Sequence, residues 1–188
     1  MRIGVVFFGG QYNHLILKNL SEMGIETRNI EVYEEPEMVD SEFDGIILGG
    51  GPQTLPRDLN SLGNSPKFSL LNKPVLGICL GHQLLSLMHG GELGKSTVPE
   101  FGNTIIEIIN EDTVFKGIKG KLKVWESHNV EVIKPPNGFS VIASSNNTKV
   151  QAISNERIGK FGVQFHPEVK HTEKGKEILE NFIRFCKK

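Results

Sequence analysis

Residues 77–83 have the sequence Gly77-Ile78-Cys79-Leu80-Gly81-His82-Gln83, and the pattern around them indicates the class of fold. The apolar run at 74–78 is typical of a buried strand, and the apolar spacing from Leu80 to Met88 predicts a helix. Cys79 therefore lies on a strand-to-helix turn, where flanking glycines permit a sharp bend. A helix N-terminus favours the thiolate, and the same turn offers backbone N–H groups to an oxyanion.

A second motif, Gly-Val-Gln-Phe-His-Pro-Glu at residues 162–168, predicts a strand that ends in two ionisable residues. His166 and Glu168 leave the same face of extended backbone, and Pro167 biases His166 toward that geometry. Glu168 is thus expected to orient His166 as the base that Cys79 needs. Taken singly, each motif also fits a structural role, as a buried cysteine or an exposed strand end. Their joint presence favours catalysis.

Strand and helix patterns alternate in the first half, which is typical of a parallel sheet. We predict strands at 2–8, 26–32, 44–48 and 74–78, with a helix at 12–23. Short strand-like runs between 103 and 165 predict an antiparallel or mixed second half, and a final helix is expected at about 172–187. Residues 54–71 indicate a loop with a weak helix that covers the site. The interpretation is one α/β domain over 1–188, with an open, mixed, mostly parallel sheet flanked by helices.

The composition and spacing of residues argue against several classes of function. The chain has 21 basic and 22 acidic residues among 188, without a long run of like charge, so no nucleic-acid partner is expected. No membrane span or signal segment is predicted. Cys79 and Cys186 do not suggest a disulfide framework, and we expect a reducing, cytoplasmic location. Gly94-Lys95-Ser96 lacks the context of a phosphate loop, and the six histidines show no metal-ligand spacing, so neither site is predicted.

Three segments carry a resemblance to a known family. The chain resembles class I glutamine amidotransferase domains in three motifs, which occur in the same order as in that family. They are Gly-Gly-Gly-Pro at 49–52, the cysteine motif at 77–83 and Phe-His-Pro-Glu at 165–168. This resemblance implies a flavodoxin-like fold. Within the family, the segments at 9–14, 125–128 and 165–172 are most similar to the glutaminases of GMP synthetases. Because the chain stops after the last helix pattern, it resembles a stand-alone glutaminase subunit.

The resemblance implies roles for further residues. The oxyanion hole would be formed by the N–H groups of Gly51 and Leu80, and His82 is expected to be structural. The residues expected to contact glutamine are Gly50, Gly51, Gln83, Ser127, Asn129 and Val130. Two positions depart from the family, which usually has aspartate where this chain has Phe7 and Val130.

The implied reaction is hydrolysis of glutamine to glutamate and ammonia through a cysteine thioester. Ammonia would pass to a separate ATP-pyrophosphatase subunit of GMP synthetase, in a heterodimer or larger complex that converts XMP to GMP. No cofactor is expected on this chain, whereas ATP and Mg²⁺ are expected on the partner. The alternatives are the glutaminase of another amidotransferase, of the anthranilate or carbamoyl phosphate type, a stand-alone γ-glutamyl cysteine hydrolase, and a non-catalytic binding subunit.

Overall fold

A computed structural model describes residues 1–187 and contains a nine-stranded mixed sheet with helices on both faces. The strands are β1 Arg2–Val6, β2 Glu26–Ile30, β3 Gly45–Leu48, β4 Val75–Ile78, β5 Glu92–Ile108, β6 Lys121–Lys134, β7 Ser140–Ser145, β8 Ala152–Asn155 and β9 Lys160–Val163. The helices are α1 Asn13–Glu22, α2 Pro36–Glu42, α3 Ser65–Phe68, α4 Leu80–Met88 and α5 Gly175–Cys186. Short 3₁₀ turns lie at Leu59–Leu62, Thr113–Phe115 and Glu156–Ile158.

The strand order is β2-β1-β3-β4-β9-β8-β7-β5-β6. The first five strands in this order pair in parallel, and the pairings from β9 to β6 are antiparallel. Apolar residues of α1 and α5 pack in one buried cluster with the sheet, and those of α2, α3 and α4 pack in another. The prediction of a mixed α/β sheet flanked by helices is therefore confirmed.

Three neighbouring strands end at the same edge of the sheet. β3, β4 and β9 are consecutive and parallel, so the segments that follow their carboxyl ends lie side by side. The glycines at 49–51 follow β3, Cys79 follows β4, and His166 comes three residues after β9. Ligands of open parallel sheets bind at this edge. The topology thus brings together all three motifs.

Several predicted bounds were wrong. β1 and β2 end two residues early, and α5 begins at Gly175 rather than 172. α2 was missed because its seven residues are mostly polar and bury only Pro36 and Val39, which leaves no apolar period. β5 begins at Glu92, within a segment for which no strand was predicted. The first part of this strand was missed because most of its residues are exposed and pair with β6, so they give no apolar pattern. The single-domain interpretation stays a prediction, and Lys188 lies outside the described residues.

Candidate active site

Cys79 occupies a strained turn between β4 and α4. Its backbone has φ 53° and ψ −106°, a region that non-glycine residues rarely adopt. A Cβ added to Gly77 would lie 2.4 Å from the Gly81 carbonyl oxygen, and one added to Gly81 would lie 2.1 Å from the Leu48 carbonyl oxygen. Only glycine fits at either position. The Cys79 N–H donates to the Val163 carbonyl over 2.9 Å, which ties the turn to β9.

The Cys79 sulfur lies among polar groups although the residue is only 6% exposed. The Gln164 Nε2 group donates to Sγ over 3.7 Å, and the thiol donates to the Ser127 carbonyl over the same distance. Gln164 is fully buried, two residues before His166. The sulfur therefore lies between a donor, the Gln164 amide, and an acceptor, the Ser127 carbonyl, and these two contacts position it in the site. The contact from Gln164 was not foreseen from the sequence, although this residue belongs to the second motif.

His166 and Glu168 form a buried pair. The distance from His166 Nδ1 to Glu168 Oε1 is 2.8 Å, which makes Nδ1 the donor and leaves Nε2 for the substrate side. The backbone of His166 is held by its N–H to the Trp125 carbonyl and by the Thr172 hydroxyl, which donates to its carbonyl over 2.7 Å. Glu168 reaches the ring from a turn beyond β9, so the expectation of a continuous extended strand through both residues was wrong.

The environment of His166 favours the imidazolium. Burial lowers the pKa of this side chain, but the charges of Glu168 and of the Cys79 thiolate, with their hydrogen bonds, outweigh it and hold the pKa well above the ordinary value. A Cβ on Gly50 would lie 3.0 Å from His166 Cε1 and 3.8 Å from Cys79 Cβ, so both side chains lie against this glycine. The arrangement can therefore hold a thiolate beside a protonated base.

Tyr12 packs against the candidate base from the opposite side. Its ring meets the His166 ring edge-on with centroids 4.9 Å apart, and its hydroxyl accepts the Trp125 indole N–H over 3.1 Å. Tyr12 belongs to the segment at 9–14, for which the sequence suggested no role in the site. Such edge-to-face contacts add to the stability of a buried ring orientation. The Tyr12 ring thus adds a packing contact to the hydrogen bond from Nδ1 to Glu168 that orients His166.

The two predicted oxyanion residues are neighbours. A Cβ on Gly51 would lie 2.7 Å from Leu80 Cδ2, so the loop after β3 touches the first turn of α4. Leu80 is the first residue of α4, where a backbone N–H has no acceptor within the helix. That N–H remains available to a ligand at the sulfur. The assignment of both residues as an oxyanion hole stays a prediction.

Two cavities meet at Cys79, Ser127 and Gly51. The larger has a volume of about 280 Å³ and extends past Gly50 and His166 toward residues 9–13. The smaller, about 220 Å³, extends toward Gln83, Asn129 and Val130. The structure therefore brings all the predicted glutamine contacts to the rim of these two cavities. An amino acid at the sulfur can place its two ends in them.

Gln83 is also held by the protein itself. Its Nε2 group donates to the Val130 carbonyl over 2.8 Å and to Gln164 Oε1 over 3.3 Å. This makes Gln83 a link between α4 and β6, and its direct contact with substrate stays a prediction. Val130 is 8% exposed and contributes its carbonyl, so the side chain at this unusual position needs no polar partner.

His82 and Phe7 lie away from the candidate chemistry. His82 is fully buried, lines neither cavity, and burial lowers the pKa of its ring to about 3, which keeps the ring neutral. This fits the expected structural role. Phe7 is 37% exposed and also lines neither cavity.

Comparisons with known proteins extend over the whole chain. Residues 5–185 match the family described as glutamine amidotransferase class-I. A glutamine-hydrolyzing GMP synthase subunit of Sulfolobus acidocaldarius is 50% identical over 100% of both chains, and the corresponding subunit of Saccharolobus solfataricus is 49% identical over 100% of both. A crystal structure from Thermoplasma acidophilum, described as that of a candidate GMP synthase subunit, has a TM-score of 0.93 and 36% identity, covering 100% of this chain and 94% of that one.

Proposed function

The chain belongs to the class I glutamine amidotransferase family, and we propose that it is the glutaminase subunit of a GMP synthase. One observation carries the chemistry: Cys79, on a strained turn, lies beside a buried His166–Glu168 pair at the edge where two cavities meet. Full-length similarity to glutamine-hydrolyzing subunits of GMP synthases supports the choice within the family. The three side chains have the roles of nucleophile, base and orienting carboxylate.

In the first step, the Cys79 thiolate attacks the side-chain carbonyl carbon of glutamine. The N–H groups of Gly51 and Leu80 hold the developing oxyanion. The carbon–nitrogen bond then breaks, and His166 gives its proton to the departing amine, which leaves as ammonia. The product on the protein is a γ-glutamyl thioester at Cys79, with His166 neutral.

In the second step, neutral His166 takes a proton from water, and the hydroxide attacks the thioester carbonyl. The carbon–sulfur bond breaks, glutamate leaves, and the thiolate and imidazolium are restored. Glu168 holds the Nδ1 proton of His166 throughout, because its carboxylate lies 2.8 Å from that nitrogen. Nε2 of His166 is therefore the nitrogen that gives up the proton in the first step and takes one in the second.

Glutamine is positioned by the rim of the two cavities. We assign its amino acid end to the smaller cavity, where Asn129, Val130 and Gln83 lie beyond Ser127. Gly50 and Gly51 border the reacting amide, where the absence of a Cβ allows close approach. Pro52, Gln53 and Thr54 line the smaller cavity.

The ammonia requires an acceptor on another polypeptide. We propose an ATP-pyrophosphatase subunit that activates XMP with ATP and Mg²⁺ and joins this chain in a heterodimer or larger complex. The relatives are each named as one subunit of a GMP synthase, which supports a separate partner polypeptide. No helix within residues 1–187 has the length and apolar character needed to cross a bilayer. We propose the cytoplasm as the location.

The test measures glutamate release by this chain alone and with the partner subunit, ATP, Mg²⁺ and XMP. The proposal expects partner-stimulated release and formation of GMP. Cys79→Ala should abolish glutamate release while the pair still makes GMP from added ammonium. Cys186→Ala is the matched control and should behave as wild type. Strong release unaffected by the partner would instead favour an independent hydrolase or another amidotransferase.

A further inference from the structure

A second group of ionisable side chains lies behind the site, on the buried face of the β5–β6 hairpin. Glu126 and His128 are two residues apart on β6, so they share a face. Glu100 of β5 is directly opposite His128 in the antiparallel register. All three residues are at most 4% exposed. One ligand atom from each, the His128 ring nitrogen and a carboxylate oxygen of each glutamate, lies within 4.8 Å of the other two.

The orientation of the His128 ring is fixed. Its Nδ1 lies 3.1 Å from the Val130 carbonyl, which can only accept, so Nδ1 carries a hydrogen. Nε2 then faces the two carboxylates, 3.0 Å from Glu100 Oε2 and 3.4 Å from Glu126 Oε2. A histidine whose second nitrogen donates to a backbone carbonyl is the usual arrangement of a metal-ligating histidine.

The two glutamates differ in their partners. Glu100 is held by the Ser145 hydroxyl at Oε1 and by Gln151 Nε2 at Oε2, each over 2.8 Å. By hydrogen-bond geometry neither oxygen of Glu126 has a close donor within residues 1–187, although His128 Nε2 lies 3.4 Å from Oε2 and the Gln151 side chain interacts weakly with the carboxylate. Glu126 is nevertheless fully buried and directed at His128. A buried carboxylate without a close donor is costly, and its position indicates a missing ligand.

We propose that Glu100, Glu126 and His128 bind one divalent transition-metal ion of the zinc type. A charge of +2 balances the two carboxylates. One imidazole and two carboxylates suit zinc, manganese or cobalt, whereas calcium and magnesium prefer a shell of oxygens alone. Two atoms that coordinate the same zinc ion in a tetrahedral arrangement lie about 3.4 Å from each other. The distances from His128 Nε2 to the two carboxylate oxygens are close to this value.

The ion would hold β6 in position beside the candidate active site. β6 carries the Ser127 carbonyl beside the Cys79 sulfur and the Val130 carbonyl that holds Gln83. His128 itself lines the smaller cavity, which gives an ion a route to the cluster. The role is structural and independent of the glutaminase assignment. Sequence spacing alone did not indicate the site, because Glu100 joins the other two only through strand pairing.

The experiment measures Zn²⁺ binding to protein that has been freed of metal with a chelator. All variants carry Cys79→Ala, because a thiolate is itself a zinc ligand. Competition with a chromophoric chelator should give one tightly bound ion per chain. Glu126→Gln should weaken that binding at least about 100-fold, the upper range for loss of a supporting group around a metal. Glu107→Gln, an exposed change on β5 with the same loss of charge, should bind as the parent does.

Three further measurements separate loss of the metal site from loss of the fold. Circular dichroism checks that each variant is folded, and Glu100→Gln must weaken binding as Glu126→Gln does. Co²⁺ should give visible ligand-field bands in the parent that are lost in Glu126→Gln. If the parent binds Zn²⁺ no more tightly than Glu126→Gln, the proposal is overturned, and protons rather than a metal balance the cluster.

Discussion

Replacing Glu168 tests how the candidate base is supported. Glu168 Oε1 accepts the Nδ1 proton of His166 over 2.8 Å, and both side chains are buried. Glu168→Gln keeps an oxygen that can accept this hydrogen bond but removes the charge. Glu168→Ala removes both. The two variants therefore separate the orientation of the ring from the stabilisation of the imidazolium.

The expected magnitudes follow from the kind of hydrogen bond. A neutral hydrogen bond contributes about 1 kcal/mol and one to a charged group about 1.5–3 kcal/mol. Loss of the charge alone should then raise the activation free energy by about 0.5–2 kcal/mol, or lower kcat/KM by about 2- to 30-fold, and loss of the whole contact should lower it by about 12- to 160-fold. Glu168→Ala should thus be clearly slower than Glu168→Gln.

The pH profile gives an independent readout. Burial lowers the pKa of His166, but the charges of Glu168 and Cys79 raise it well above its ordinary value. Removing the Glu168 charge lowers that pKa. The imidazolium is then lost at a lower pH, so the alkaline limb of the kcat/KM profile should move toward lower pH in Glu168→Gln.

The assay is glutamate release with the partner subunit present. Glu177→Gln, an exposed glutamate on α5, is the matched control and should leave both rate and pH profile unchanged. Equal rates for Glu168→Ala and wild type would show that Glu168 does not support His166. So would an alkaline limb that stays in place when the charge is removed.

Two further changes examine the turn and the ring contact. Gly81→Ala places a Cβ 2.1 Å from the Leu48 carbonyl oxygen. This overpacking should lower the free energy of unfolding by about 1–3 kcal/mol and Tm by roughly 2–12 °C. At an unobstructed helix position the same change from glycine to alanine would stabilise the protein. An unchanged or raised Tm in a thermal melt would contradict the expected overpacking. Tyr12→Phe keeps the ring edge on His166 and loses only the contact with Trp125, so kcat/KM should stay within about threefold of wild type, whereas Tyr12→Ala should lose about tenfold. Equal losses in both variants would exclude ring packing as the cause.

The sequence was informative about the fold where apolar periodicity was strong. β4 and the core of α5 bury their apolar positions, and α4 buries Leu80, Leu84 and Leu85, so the apolar patterns of these elements predict their type directly. α2 and the first part of β5 carry little apolar signal, because a helix with two buried residues and an exposed hairpin are stabilised by contacts made elsewhere in the chain. The structure of these two segments therefore depends on contacts between distant parts of the chain, which local sequence patterns do not reveal.

The part of the site whose reactive side chains lie in short sequence motifs could be predicted. Cys79, His166 and Glu168 were predicted in this way, and the structure brings them to one edge of the sheet; their catalytic roles stay a prediction. The donor to the Cys79 sulfur and the ring that packs on His166 were not found, because Gln164 and Tyr12 act through distances that only the folded chain defines.

Chemical labelling with a diazoketone analogue of glutamine, followed by mass spectrometry, tests directly whether Cys79 is the nucleophile. One label per chain is expected, on Cys79, and none in Cys79→Ala. Cys186 is the natural comparison, because burial and the nearby Asp44 charge raise the pKa of its thiol to about 12, which keeps it unreactive. A label on Cys186, or equal labelling of wild type and Cys79→Ala, would contradict the assignment of Cys79 as the nucleophile.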